Sequence, residues 1–338
     1  MQTGEYRYIA QEKVIFGRPA AEVVAQQATA RGASKVFIVS GRSLSRKTDV
    51  VAGISNALGE RFAGLFDECE EHTPRESVIA LTRRLRESGA DLVVTIGGGT
   101  PIDTVKVALL CLEVGATTEK DLDNWHVRVN ADGSRFVPAV PMGKVRQIAV
   151  PTTLSGAEFS DLGGCTDRAA GVKQGFTAPG VCPVVVVLDP AVTVHTPDQL
   201  WLSTGVRAVD HAVEAVCSIN RVDYGASHGM GHVLGGAYGT PHGITSCILL
   251  PGVLAFNRTA TAAQQARIAE ALGARNASEG VRNLIASLGL PTRLRDVLPD
   301  RSRFAELAQK SLANQWVRTN PVRIDTADDA LRVLEACW

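Results

Sequence analysis

The sequence predicts an α/β domain followed by an all-helical domain. Three observations predict it. The chain has 338 residues, more than one small core organises. Up to about residue 196, short β-branched runs alternate with amphipathic segments, the pattern of a parallel sheet with helices on both faces. Beyond that point the chain reads as one helix after another, with no comparable β-branched run. The boundary is placed near residue 192, giving domains 1–192 and 193–338.

VIFG (14–17) is a short apolar run closed by glycine, and a helical pattern runs from Pro19 to about Arg31. SKVFIVS (34–40) is a continuous apolar run ended by Gly41, the mark of a buried strand. Residues 46–61 read as helix and Phe62–Phe66 as a strand. Residues 74–89 form an amphipathic helix, opened by Thr73 and Pro74, with Glu76 in its first turn. ADLVVTIGGGT (90–100) is a strand and its turn; RQIAVPTT (146–153) and CPVVVVLDP (182–190) are two further strands. The second half divides into helices at 197–217, 244–256, 261–273, 276–288, 301–317 and 326–336.

Composition narrows the function classes. Hydrophobic residues at 45% and charged residues at 21% describe an ordinary globular protein. A formal net charge of zero gives no basis for a nucleic-acid or membrane-surface partner. No run of 18 apolar residues occurs, and the N-terminal MQTGEYRYIAQEKVIFG lacks the apolar core of a signal peptide. The seven cysteines are scattered and form no CxxC pair, which favours free thiols in a reducing, cytoplasmic setting. A small-molecule substrate and a homodimer are expected.

Two stretches carry chemistry. In TIGGGTPIDTVK (95–106), three glycines follow a buried strand and Pro101 opens a helix, where its missing N–H costs nothing. Such a turn lets a diphosphate approach backbone N–H groups at a helix start. A tight strand-to-helix turn without a ligand satisfies the same pattern. Asp103 and Lys106 share one helical face, which by itself reads as a surface ion pair. The second stretch is GASHGMGHVLGGAYGTPHG (225–243), where His228, His232 and His242 stand among seven glycines. Metal binding, acid–base work and ligand binding all remain open for it on composition alone.

Six motifs occur here in the order found in the iron-containing (group III) alcohol dehydrogenases. They are GGGTPIDTVK (97–106), PTTLSGAE (151–158), LDP (188–190), STGVRAVDHAVEA (203–215), GASHGMGHVLGG (225–236) and TPHG (240–243). The chain resembles that family nearly end to end. The compact PTTLSGAE, VKQ (172–174), TNPVRI (319–324) and LEACW (334–338) resemble its maleylacetate reductase branch. The resemblance implies the fold shared with dehydroquinate synthase: an atypical α/β dinucleotide-binding domain, then an all-α domain carrying the histidines. It implies a cofactor diphosphate on the GGGT turn and a nicotinamide in the cleft between domains. Gly97, Gly98, Gly99, Thr100, Asp103, Lys106, Thr152, Thr153 and Leu154 would line the cofactor. In metal-dependent members one aspartate and three histidines hold Fe²⁺ or Zn²⁺. The histidines map to His211, His228 and His242, and His232 maps to a further histidine near the nicotinamide.

The sequence departs from this pattern at three places. Arg207 stands where the ligating aspartate belongs, four residues before His211. Arginine has a fixed charge, five donors and no lone pair for a metal. Asp210 is the nearest substitute carboxylate, and pairing with Arg207 one turn back is its plainer role. Second, FIVSGRSL (37–44) has Gly41, flanked by Ser40 and Arg42, where NAD-preferring members carry an acid for the ribose hydroxyls. Arg42 beside a strand end suits a 2′-phosphate, hence NADPH as well as NADH. Third, only 16 residues separate His211 from His228, where the family pattern carries two further helices. Trp125, His126 and Arg128, in LDNWHVRVNADGSRF (122–136), read as a surface loop with a DG turn rather than as a cap over the site.

The expected activity is NADPH- or NADH-dependent reduction of a carbonyl or enone on a small, carboxylate-bearing substrate. No metal is expected. Arg207 would grip the carboxylate, with His211, His228, His232 and His242 around it. An imidazole, with its unperturbed pKa of about 6.5, would supply the proton. The alternative is an Fe- or Zn-dependent alcohol or aldehyde dehydrogenase, its metal on His211, His228, His242 and Asp210. An inactive or lyase-type member of the same fold is the second alternative.

Overall fold

The computed structural model describes residues 9–129, 135–217 and 224–338. The chain forms two compact units that meet in sequence between Thr196 and Pro197.

The first unit is built on a six-stranded, all-parallel sheet. In chain order the elements begin with β1 (Lys13–Phe16), α1 (Ala20–Ala30), β2 (Val36–Ser40), α2 (Arg42–Lys47), α3 (Val50–Leu58) and β3 (Phe62–Phe66). They continue with α4 (Arg75–Ser88), β4 (Leu92–Gly97), α5 (Gly99–Val114), β5 (Arg128–Val129), β6 (Arg135–Phe136) and β7 (Arg146–Pro151). Last come β8 (Leu162–Asp167), β9 (Val172–Thr177), β10 (Val185–Leu188) and α6 (Pro190–Thr193). The sheet order is β1-β10-β7-β4-β2-β3.

Successive side chains on each strand feed two separate cores. Val36, Ile38, Leu92, Val94 and Ile96 pack with Val23, Val24 and Ile54 of α1 and α3. Phe37, Val39 and Val93 pack on the opposite face with Val78 and Leu81 of α4 and Val105 and Leu109 of α5. Burial on both faces is why these strands read as continuous apolar runs rather than alternating ones.

The helix expected over 46–61 is two helices, α2 and α3, followed by a 3-10 turn at Gly59–Arg61. The break falls at Thr48, whose backbone is extended and whose hydroxyl donates to Leu44 O at 2.6 Å. An antiparallel hairpin, β8–β9, was not foreseen. It lies against α5: a Cβ on Gly163 would stand 3.1 Å from Lys106 Cβ and from Val107 Cγ2. The glycines that permit this approach also weaken the local strand signal. The stretch expected as a plain loop starts with a 3-10 turn, Glu119–Asn124, then pairs β5 with β6; its DG turn lies outside the described residues. Trp125 packs on the core of the first unit and His126 meets Phe176 edge-on at 6.2 Å, so neither is a mobile cap.

The second unit is helical: α7 (Asp198–Cys217), α8 (Ala226–Tyr238), α9 (His242–Phe256), α10 (Ala262–Ala271), α11 (Ala277–Ser287), α12 (Phe304–Ser311), α13 (Gln315–Arg318) and α14 (Ala327–Ala336). Its core centres on α9, which is buried from Gly243 to Leu254. The glycine-rich stretch is itself helix, α8, against the low helix propensity of glycine. Packing overrides propensity here. A Cβ on Gly229 would lie 2.6 Å from Val317 Cγ2, and one on Gly231 2.9 Å from Thr245 Oγ1. The helix exists because neighbouring helices press closer than a side chain would allow. The shortened segment falls on 218–223, outside the described residues.

Among the described residues, six cysteines are free, and no helix is long and apolar enough to cross a membrane.

Candidate active site

Two groups of side chains stand out, one in each unit. In the first unit the GGGT turn joins β4 to α5. Gly97 adopts φ 149°, a backbone that L side chains rarely reach, and a Cβ there would sit 2.7 Å from Pro101 Cγ. Gly98 precedes α5 with no side chain capping the helix. Its missing Cβ would stand 3.0 Å from Thr153 Cγ2, and that of Gly99 would stand 3.2 Å from Ser155 Oγ. Thr152 N donates to Gly97 O at 3.0 Å. The structure therefore brings Gly97, Gly98, Gly99, Thr152 and Thr153 together, with the uncapped N–H groups of a 16-residue helix between them. Thr100 and Asp103 are half-buried on α5, and Leu154 is 41% exposed. Ser40 is buried at the end of β2, and Arg42 is exposed at the start of α2.

Lys106 departs from its expected role. Its side chain is 1% exposed, and Nζ donates to Ala157 O at 2.5 Å, Leu162 O at 2.9 Å and Ser160 Oγ at 3.1 Å. Asp103, 3.8 Å away, accepts from Gly164 N at 3.0 Å. All three ammonium protons are committed, so Lys106 ties the loop after the PTT strand to α5 and offers nothing to a cofactor. Burial pushes its pKa down, and Asp103 pulls it back up.

The second group lies where α7 meets α8 and α9. The residues of α7 that are buried, Ser203, Thr204, Val206, Arg207, Asp210, Val213 and Glu214, recur every three or four positions and form one face. Asp210 and Glu214 are thus turned inward together, one turn apart. His211 is rotated about 100° from Asp210 and only half-buried. Glu214 accepts from Gly225 N at 2.9 Å and Ser227 N at 3.1 Å, so a side chain of α7 caps the start of α8. His228 Nδ1 stands 2.5 Å from Glu214 Oε2 and 3.4 Å from Asp210 Oδ2. Arg207 Nη1 donates to Ser246 Oγ at 2.9 Å and lies 3.8 Å from Asp210 Oδ2, the pairing expected for these two residues.

The histidines divide into two sets. His211 and His228 stack at 4.7 Å, and Tyr224 lies almost parallel to His228 at 4.2 Å. His232 and His242 have ring centroids 5.0 Å apart, with Trp316 edge-on to His232 at 4.6 Å. Burial, with Arg207 nearby, pushes His228 down to about 3. Burial, then His228 and Arg207, pushes His211 down to about 2. Burial pushes Glu214 up to about 7 and raises Asp210.

The ligand set implied for a metal is not the one that converges. Arg207 occupies one of its positions, and His211 lies stacked against His228. Among the described residues, the donor atoms that gather within 4.8 Å of one another are those of Asp210, Glu214 and His228. Their chemistry fits a divalent cation, so the expected absence of metal finds no support here. Sequence reasoning weighed Asp210 and missed Glu214, Tyr224 and Trp316. Glu214 was legible as the i+4 partner of Asp210; Tyr224 and Trp316 are joined by folding alone.

The sequence pattern of the iron-containing alcohol dehydrogenases matches residues 11–190, and that of the family's C-terminal domain matches residues 212–338. This chain belongs to that family. A dehydrogenase of Alternaria alternata is 31% identical over 386 aligned positions, taking in 90% of this chain and 98% of that protein. Those positions outnumber the residues of this chain, so the relative carries segments that this family member lacks. The maleylacetate reductase of Burkholderia cepacia is 27% identical, with 95% of this chain and 94% of that one covered. The crystal structure of maleylacetate reductase from Agrobacterium tumefaciens has TM-score 0.78 at 23% identity, over 100% of this chain and 99% of that one. At that identity the likeness concerns the fold. With dehydrogenases and reductases as relatives throughout, this iron-containing alcohol dehydrogenase family member is an oxidoreductase.

Proposed function

We propose that this protein is a nicotinamide-dependent reductase acting on a carbonyl or enone of a small, carboxylate-bearing substrate. The observation that carries the cofactor class is the uncapped α5 start at the GGGT turn, beside Thr152 and Thr153 on the neighbouring strand end. Anions bind at such helix starts, and α/β sheets bind ligands at strand C-termini. NADPH or NADH supplies the hydride. Gly97, Gly98, Gly99, Thr100, Thr152 and Thr153 hold its diphosphate. Arg42 at the end of β2 favours NADPH.

The acidic substrate class draws on the maleylacetate reductases among the relatives and on Arg207, a buried guanidinium among histidines. Asp210 stands 3.8 Å from that guanidinium, so a substrate carboxylate competes with it. The proton falls to His232 or His242, because His228 Nδ1 faces Glu214 at 2.5 Å and His211 stacks against His228 and Tyr224. The Asp210–Glu214–His228 cluster favours a second reading, a metal-dependent alcohol or aldehyde dehydrogenase.

NADPH consumption is measured with a 2- or 4-oxo acid and with the matching neutral ketone or aldehyde, on wild type and Gly98→Ala. The wild type turns over the acid preferentially, and Gly98→Ala weakens cofactor binding by roughly tenfold or more, about 1.4 kcal/mol. Unchanged affinity in Gly98→Ala places the diphosphate elsewhere. Preference for the neutral substrate removes the acidic class.

A further inference from the structure

Asp210 Oδ1 and both ring nitrogens of His228, Nδ1 and Nε2, are buried atoms with no hydrogen-bond partner. Both side chains are fully buried, which makes an unsatisfied polar atom costly. The side chains meet at Nδ1 of His228, which lies 3.4 Å from Asp210 Oδ2 and 2.5 Å from Glu214 Oε2, and Asp210 Oδ2 also accepts from Ser227 Oγ at 3.0 Å. Charge at this point is unbalanced as well. Two carboxylates face one guanidinium, that of Arg207, and a histidine. Either a proton or a cation must make up the difference in so dry a place.

We propose that Asp210, Glu214 and His228 form a divalent-cation site, shifted three residues along α7 from the position that the family pattern assigns. That pattern asks α7 for an acid and a histidine four residues apart, at 207 and 211. Here the inward pair four residues apart is Asp210 and Glu214. A three-residue step turns a helix by about 300°, roughly 60° from the starting direction, which keeps the pair on the same buried face of α7 as Arg207. The sequence has thus exchanged a carboxylate–imidazole pair for a carboxylate–carboxylate pair, and only His228 belongs to both sets.

Two carboxylates and one imidazole suit Zn²⁺, Fe²⁺ or Mn²⁺ better than Ca²⁺ or a soft ion. Three protein donors leave coordination positions open. Glu214 carries a second duty, since its oxygens also receive Gly225 N and Ser227 N. Those donors orient the carboxylate. Arg207, held by Ser246, stays beside Asp210 and lowers the affinity for a cation.

The test reads metal binding and not turnover, so it stands or falls apart from the reductase reading. Chelator-stripped full-length protein is titrated with Zn²⁺ by calorimetry and with Co²⁺ by visible absorption, and each variant is checked by its thermal melt. Wild type takes up one ion per chain. Asp210→Asn and Glu214→Gln lose roughly tenfold or more in affinity. His211→Ala and His242→Ala keep it. Arg207→Ala, which removes the neighbouring cation, binds more tightly, and this variant decides the matter should Asp210→Asn fail to fold. Absence of binding in wild type overturns the site. So does loss of binding in His211→Ala or His242→Ala with none in Asp210→Asn, or unchanged binding in Arg207→Ala.

Discussion

Lys106→Met separates a cofactor ligand from an internal strut. The substitution keeps the apolar stem and deletes the ammonium. In the structure that ammonium meets three oxygens at 2.5, 2.9 and 3.1 Å, two in the loop following the PTT strand and one on Leu162, the first residue of β8. A hydrogen bond to a charged donor contributes about 1.5–3 kcal/mol. Against the three bonds stands the desolvation of the ammonium, which costs several kcal/mol and is what pushes its pKa down. The methionine escapes that cost but leaves Ala157 O and Leu162 O facing an apolar chain. A net loss of about 3 kcal/mol follows, at the low end for breaking a buried charged partnership. For a unit of this size that corresponds to a fall in Tm of roughly 6–12 °C. Circular-dichroism melts and a fluorescence titration with NADPH are run on the same samples. Destabilisation with cofactor affinity changed less than about threefold, or 0.65 kcal/mol, is the expected result. An unchanged melt with affinity reduced tenfold would refute the reasoning and return Lys106 to the cofactor.

Three other outcomes are expected. Arg42→Ala raises KM for NADPH by about tenfold and leaves NADH alone, since a guanidinium–phosphate contact is charge-assisted; equal shifts in steady-state kinetics contradict a 2′-phosphate site. Gly229→Ala destabilises the protein by about 1–3 kcal/mol despite its better helix propensity, because its Cβ would stand 2.6 Å from Val317 Cγ2; a denaturant titration showing stabilisation refutes the close approach of α8 and α13. Glu158→Gln gains stability over wild type as pH rises. Burial raises the pKa of Glu158 above its ordinary 4.5, so the folded chain holds a proton that the unfolded chain gives up. Wild type therefore loses stability from about pH 4.5 upward until the folded group itself ionises, and the neutral amide does not. Melts compared at pH 4 and pH 7 should show the advantage only at the higher pH.

The alternation of β-branched runs with amphipathic segments was enough to place five of the six sheet strands and the helical second half, because each signal is local; the sixth, β1, showed only as a short apolar run. A strand buried on both faces must be apolar throughout, and a surface helix must be apolar on one side. The GGGT turn was legible for the same reason, since its glycines answer a backbone demand that is met within a few residues. Other features depended on what lies across space. α8 carries too many glycines to look like a helix, and only the nearness of Val317 and Thr245 makes glycine the residue that fits. Lys106 three residues after Asp103 looked like a surface pair or a cofactor ligand, until the loop at 157–162 closed over it. The histidines, close in sequence, divided into a stacked pair, His211 and His228 beside Tyr224, and a tilted pair, His232 and His242 beside Trp316. Which carboxylates of α7 face His228 was decided by the rotation of that helix in the core. A rotation of one residue is about 100°, enough to set His211 aside and bring Asp210 and Glu214 together.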